Sequence, residues 1–119
     1  MEYLLMIHSE TNRNAEAVPE AVRQQMLGAY RAYTEAIQQA GVLKSSNRLR
    51  PASSATAVRV RDGKTEVHNG PYIETREELG GYYLIDVPNL DAALSWAARC
   101  PGAAHGTIEV RPIWPMGEY

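Results

Sequence analysis

The sequence contains one cysteine, no phenylalanine and no apolar run that approaches the length of a membrane span. Because Cys100 has no partner for an internal disulfide, the chain suits a reducing compartment, and we expect a cytoplasmic protein. The first residues lack the basic segment and the cleavage site of a signal peptide. A net charge of -2 also argues against a general binder of nucleic acid or of anionic membranes.

The motifs that usually signal cofactor or metal chemistry are absent as well. The chain has no glycine-rich phosphate loop, no nucleophile elbow and no zinc signature. Its three histidines, His8, His68 and His105, do not stand at the short spacing of metal ligands. We therefore predict neither a metal site nor a bound cofactor, which still leaves room for a cofactor-free enzyme.

Apolar runs of strand length are present in two parts of the chain. Residues 3–7 and 81–87 are apolar at nearly every position, which predicts strands that are buried on both faces. Residues 42–49 are ambiguous between strand and loop, and residues 72–79 form a polar linker. A last strand is predicted over 107–114, with Ile108, Val110 and Trp114 on one face and Thr107, Glu109 and Arg111 on the other.

Helical periodicity marks two segments. Pro19 suits the first position of a helix and Gly41 suits its C-terminal cap, so a helix is predicted between them. Asn89 is a good N-cap for a second helix, which Pro101 and Gly102 end. The predicted apolar faces are Val22, Met26, Tyr30, Tyr33, Ile37 and Ala40 in the first helix, and Leu90, Ala93, Leu94 and Ala97 in the second.

A hairpin is predicted in the middle of the chain. Asp62-Gly63 stands between two β-rich runs, 56–61 and 64–68, and this dipeptide favours a two-residue turn. In that register Val58 faces Val67, and Arg59 faces Glu66 across the strands. One face of the hairpin is then apolar and the other is charged.

The order of these elements predicts an α+β fold. The 119 residues form one domain, 1–119, with two strand–helix–strand units around a mainly antiparallel sheet, which is a ferredoxin-like layout. Right-handed crossovers place both helices on one face of the sheet. The other face then has no cover within the chain, so we expect a homodimer whose sheets pack face to face.

Seven short segments, spread over nearly the whole chain, carry a family resemblance through their order and spacing. They are Tyr3-Leu4-Leu5, Ala40-Gly41-Val42-Leu43, Asn69-Gly70-Pro71-Tyr72, Glu74-Thr75, Leu79-Gly80-Gly81-Tyr82-Tyr83-Leu84-Ile85, Leu90-Asp91-Ala92-Ala93-Leu94 and Glu109-Val110-Arg111-Pro112. Together they resemble the DGPF-domain group within the YCII-related proteins. The resemblance implies a ferredoxin-like fold that dimerises into an α+β barrel, and a His–Asp pair has been suggested as an enzyme-like site in the wider family.

The chain departs from this group in the motif that names it. Asn69 stands where aspartate is usual, and Tyr72 stands where phenylalanine is usual. An aspartate there could accept a proton or bind a cation, whereas Asn69 cannot act as a base. The segment is also readily interpreted as a turn, because Asn and Gly tolerate left-handed backbone and Pro71 fixes the next dihedral.

Two functional hypotheses follow. The first is a dimeric binding or regulatory module for a small anionic metabolite, with Asn69, Tyr72, Arg48 and Arg111 as ligand-binding candidates. The second is a cofactor-free enzyme in which His8 acts as general acid or base with Glu74 or Asp86. The basic residues between 44 and 64 could hold such an anion. The alternative is that they form a solvated hairpin surface, which keeps an edge strand from pairing with other sheets.

Overall fold

Six strands and two α-helices make up the described chain. The computed structural model describes residues 1–10, 18–71 and 76–118. The elements are β1 (Glu2–Glu10), α1 (Glu20–Gln39), β2 (Leu43–Arg48), β3 (Thr56–Arg61), β4 (Lys64–Asn69), β5 (Glu77–Asp86), α2 (Leu90–Arg99) and β6 (Thr107–Pro112), with short 3-10 turns at Ala52–Ser54, Pro101–Ala104 and Met116–Glu118.

Four strands form an antiparallel sheet in the order β2-β5-β1-β6. The N-terminal strand β1 is therefore central, and it pairs with β5 on one side and β6 on the other. Residues of both helices join one cluster with side chains from a single face of this sheet. The α+β, ferredoxin-like layout predicted from the order of elements is confirmed.

The core lies between that sheet face and the helices. Leu5, Ile37 and Ile85 are fully buried, and Ala93 from α2 is buried with them. Tyrosines supply the aromatic volume in this phenylalanine-free chain: the rings of Tyr33 and Tyr83 meet edge to face at 5.2 Å between centroids. The remaining members of the buried cluster are Tyr3, Val87, Ala97 and Cys100.

Each buried tyrosine hydroxyl has a hydrogen-bond partner, as burial in an apolar layer requires. Tyr33 donates to the backbone carbonyl of Trp96 at 2.7 Å, and the hydroxyls of Thr34 and Tyr83 lie 2.7 Å apart. Burial raises the pKa of the Tyr83 hydroxyl above its ordinary value. These rings therefore stay neutral and act as core residues.

Cys100 belongs to this core and does not present a reactive thiolate. It is free and 3% exposed. Burial raises the pKa of its thiol, which favours the protonated form. Its position in the core therefore makes Cys100 a poor nucleophile.

The helices bury narrower faces than the sequence pattern predicted. In α1, Tyr33 and Ile37 are buried, but Val22 is 44% exposed because the first half of the helix extends beyond the core. In α2, Leu90 and Leu94 are 47% and 46% exposed, so the prediction that they face the core was wrong. The small side chains of Ala93 and Ala97 take that position and allow close packing on the sheet, with Ala92, Trp96 and Cys100 beside them.

Strand boundaries differ from the predicted ones at three places. The ambiguous stretch after Gly41 forms the edge strand β2, and Gly41 itself has the positive φ of 74° expected of a C-terminal cap. The polar linker was predicted to reach residue 79, but β5 begins at Glu77, because backbone pairing with β1 does not require apolar side chains. The last strand ends at Pro112, and Trp114 lies beyond it with 69% exposure, contrary to prediction.

The central hairpin forms as predicted. Asp62 and Gly63 have φ values of 51° and 75°, the left-handed pair of a tight two-residue turn. Val58 pairs with Val67 and Arg59 with Glu66. Strands β3 and β4 form a separate two-stranded sheet and are not part of the main sheet.

The chain is flat and extended for its length. Its extents are 47 × 47 × 19 Å, and its radius of gyration is 16.5 Å. A compact domain of this length has a radius of gyration of about 13.5 Å. The smallest extent matches one sheet and one helix layer, since stacked layers are about 10 Å apart. Of the helices in the described ranges, none is both long and apolar enough to cross a membrane.

The depth of burial on α1 gives a direct test of this packing. Ile37→Ala removes a side chain that is 0% exposed, and we expect it to lower the free energy of unfolding by about 2–5 kcal/mol. Val22→Ala on the same helix should cost less than about 1 kcal/mol, because Val22 lies near the exposed end. Urea denaturation of both variants at one protein concentration measures the difference. If both substitutions lowered the free energy of unfolding equally, the conclusion that α1 packs on the sheet mainly through its second half would be contradicted.

Candidate functional site

The sheet face opposite the helices is the surface where polar and apolar side chains meet. Side chains alternate along a strand, so the neighbours of buried Tyr3, Leu5, Tyr83 and Ile85 point away from the helices. We call this surface the open face. Its centre consists of four half-buried side chains from the two central strands, Leu4, Met6, Tyr82 and Leu84.

His8 continues the open face at one end of β1. It follows Met6 by two residues and pairs with Thr107 of β6. Glu109 lies opposite Met6, and His8 Nε2 is 3.0 Å from Glu109 Oε1. The side chains are 25% and 44% exposed, so the contact is neither buried nor fully solvated.

Arg111 extends this cluster along β6. It pairs with Leu4, and one of its guanidinium nitrogens lies 3.9 Å from the second carboxylate oxygen of Glu109. The carboxylate therefore lies between an imidazole and a guanidinium, and we call His8, Glu109 and Arg111 the polar cluster. An imidazole can exchange a proton near neutral pH, a carboxylate can orient it, and a guanidinium can hold an anion.

Close backbone approaches fix the position of His8. The pairing of β1 with β5 shifts register between Ile7 and His8, where Gly80 is the extra residue. Gly106, before β6, lies so close that a Cβ on it would overlap the carbonyl oxygen of His8. Only glycine fits at that position, which gives residue 106 a role in placing the imidazole.

Asp86 lies at the opposite end of the sheet from His8. It pairs with Glu2, which precedes His8 by six residues on β1, a separation of roughly 20 Å at about 3.3 Å per residue. The N-terminal ammonium of Met1 is 3.1 Å from an oxygen of Asp86. The structure does not bring His8 and Asp86 together within one protomer, because their strands run antiparallel and the two residues sit at opposite ends.

An open groove of about 330 Å³ surrounds Asp86. Charged groups of both signs line it, among them Lys44 and Glu2. The groove lies at the Asp86 end of the sheet, away from His8. The full lining is Met1, Glu2, Lys44, Asp86, Ile113 and Pro115.

The predicted ligand-binding residues fall into different places. Arg111 is on the open face, whereas Arg48 pairs with Gly81 at the other edge of the sheet and is turned toward the helix side. Asn69 ends β4 at the base of the hairpin, where it pairs with Thr56. Tyr72 and the proposed catalytic Glu74 lie outside the described residues.

The carboxylate that contacts His8 was not among the sequence-based candidates for its partner. Alternation along the last strand places Glu109 on the same face as Arg111, and this could be seen in the sequence. That β6 lies beside β1 follows only from the fold, and it brings Glu109 to His8. A second open-face pair was likewise missed: Asn47 donates to the Tyr82 hydroxyl at 2.8 Å.

The described ranges contain no cluster of side chains that could bind a metal ion. There, no group of three or more His, Cys, Asp or Glu side chains is placed to hold an ion. The polar cluster itself contributes only one imidazole and one carboxylate. The expectation of no metal and no cofactor stays a prediction.

Comparison with known proteins identifies a family and a relative of this chain. Residues 1–117 match the sequence model of the YCII-related domain. A relative from Rhizobium meliloti (strain 1021), named as an uncharacterized protein, is 37% identical over 107 residues. That alignment covers 88% of this chain and 83% of the relative.

Proposed function

The chain belongs to the YCII-related family, and we propose that it works as a homodimeric binding module for a small anionic metabolite. The open face carries this proposal, because it combines an uncovered apolar centre with the polar cluster at its side. The finer assignment to the DGPF group and the cytoplasmic location are part of the same proposal.

The apolar centre of the open face supports the dimer. Leu4, Met6 and Leu84 lie on central strands, and no element of the described chain covers them. Full burial of such a side chain contributes about 1.5–3 kcal/mol relative to leaving it exposed. A second copy presents the same self-complementary surface, and face-to-face packing of two sheets gives the dimeric barrel.

The charges around that centre support an anionic ligand. Arg111 is 70% exposed and its contact with Glu109 is long, at 3.9 Å, so its guanidinium can turn to a ligand at little cost. In the dimer, removal of water from this surface would strengthen each charged contact. Asn69 at the base of the hairpin remains a proposed ligand contact, as does Tyr72, which lies outside the described residues. Arg48 is not proposed as part of this site, because it is turned toward the helix side at the opposite edge of the sheet.

The dimer is tested by placing a charge on the open face. Leu84→Glu puts a carboxylate into the proposed interface, and we expect it to convert a dimer into a monomer of 13.2 kDa, because the charge would have to be buried without a partner. Leu94→Glu is the control, since Leu94 is exposed on α2. Sedimentation equilibrium measures both masses. A wild-type protein that is monomeric at micromolar concentration would sink the dimer.

Ligand binding is tested by thermal shift with small carboxylates and phosphates. Binding at about 100 times Kd adds about 2.7 kcal/mol to the stability of the folded state, which should raise Tm for at least one compound. Arg111→Gln should remove that increase, whereas Arg23→Gln on α1 should keep it. Unchanged melting curves across the panel, or an increase that survives Arg111→Gln, would count against the proposed site.

The contact between His8 and Glu109 favours a second candidate, a cofactor-free enzyme. Here His8 would act as general acid or base and Glu109 would hold its ring in position. Glu109 then takes the role proposed for Asp86, which lies at the opposite end of the sheet from His8, while Glu74 lies outside the described residues.

Substitutions of His8 and Glu109 distinguish a role in acid–base catalysis from a role in stabilising the fold. A partly exposed polar contact contributes about 1 kcal/mol or less to stability, so a double-mutant cycle with His8→Ala and Glu109→Gln should give a small coupling energy. Turnover of any substrate found by screening a panel of small metabolites should nevertheless disappear in His8→Ala. Turnover that persists in His8→Ala would exclude His8 as the acid or base.

A further inference from the structure

One face of the β3–β4 hairpin is apolar and exposed. Val58, Val60 and Val67 have exposed fractions of 68%, 65% and 67%. Val58 and Val67 are direct cross-strand partners, and Val60 is opposite Thr65, so the three valines form one continuous surface. We call residues 56–69 the hairpin arm and this surface the valine face.

Among the described strands, the two strands of the hairpin arm pair only with each other. Its base is held by Gly70, which donates from its backbone N–H to the carbonyl of Ala55 at 2.7 Å, while the backbone N–H of Ala52 donates to Glu78 at 3.2 Å. A two-stranded hairpin is marginally stable in water unless another surface covers it. A surface that covered the arm would therefore stabilise it.

The two faces of the arm differ in what they require. The face opposite the valines carries charged side chains such as Arg61 and Lys64, which water solvates well. Three adjacent valines in water have no such compensation, and large exposed apolar surfaces usually mark an interaction site. The valine face is the side of the arm that requires cover.

The size of the open face indicates which partner provides that cover. The edge strands have six residues each and the central strands have nine and ten, so four strands about 4.8 Å apart project an area of roughly 500 Å². Standard protein interfaces bury about 800 Å² on each partner. Even with allowance for side-chain relief, the open face alone lies at the lower end of stable dimer interfaces. A second apolar contact between the same two chains would supply the missing area.

We infer that the valine face of the hairpin arm packs on a second copy of this chain and completes the dimer interface. This inference rests on the proposed dimer through the open face. In a two-fold dimer each contact occurs twice, so the two arms add two apolar contacts. The arm would thereby be ordered by the partner and would in turn slow dissociation.

The test compares two faces of the same hairpin. The double variant Val58→Thr with Val67→Thr keeps the shape and the strand preference of both side chains but adds a hydroxyl to each. We expect the dissociation constant of the dimer, measured by sedimentation, to rise at least tenfold. Lys64→Thr alters the opposite face and is the matched control, for which we expect less than a threefold change.

Each outcome separates this inference from the proposed dimer. A wild-type dimer that weakens in the valine variant and not in Lys64→Thr supports the arm contact. A wild-type dimer whose dissociation constant is the same in the valine variant overturns the arm contact and leaves the open-face dimer intact. A monomeric wild-type protein overturns both.

Amide hydrogen exchange gives a second readout that does not require a hairpin variant. The arm amides should exchange slowly in the wild-type dimer and at least tenfold faster in the monomeric Leu84→Glu variant, because the partner is then lost. Residues Leu5 and Ile85 of the core should keep their protection in both proteins. Arm amides that are equally protected in dimer and monomer would show that the arm does not depend on a partner.

Discussion

The antiparallel pairing of β1 with both β5 and β6 is the constraint on which the rest of the structure depends. It places β1 at the centre of the sheet, where apolar side chains on both faces need to be covered. The helices cover only the face that carries Tyr3 and Leu5. Leu4 and Met6 point the other way, and the open face exists because the same strand is apolar on both sides.

The same pairing brings the polar cluster together. His8 is two residues beyond Met6, so it shares the open face, and β6 supplies Glu109 and Arg111 at neighbouring positions. A close approach by Gly106 holds the backbone of His8 in place. Candidate chemistry and candidate interface thus occupy one surface. In the proposed dimer, association and ligand binding would be coupled, because covering the apolar centre also removes water from the charges beside it.

Local signals in the sequence were reliable where one short segment decides its own geometry. Asp62-Gly63 produced the predicted turn and strand register, and Gly41 ends α1. The side chain of Asn89 accepts the backbone N–H of Ala92 at 3.0 Å, as expected of an N-cap. Predictions failed where packing between the helix and the sheet determines which side chains are buried. Leu90 and Leu94 fit a helical stripe, yet the sheet accepts alanines at close range and leaves these leucines outside.

The sequence by itself determined the α+β class, the hairpin register, the face of β6 on which Glu109 and Arg111 lie and the family. The tertiary structure decided which strands are neighbours, and so which charged groups meet. It separated His8 from Asp86 by the length of the sheet and joined His8 to Glu109, more than one hundred positions later in the chain. Side-chain alternation is a local property that any strand reveals, whereas strand order depends on the whole chain and on the layers that it packs.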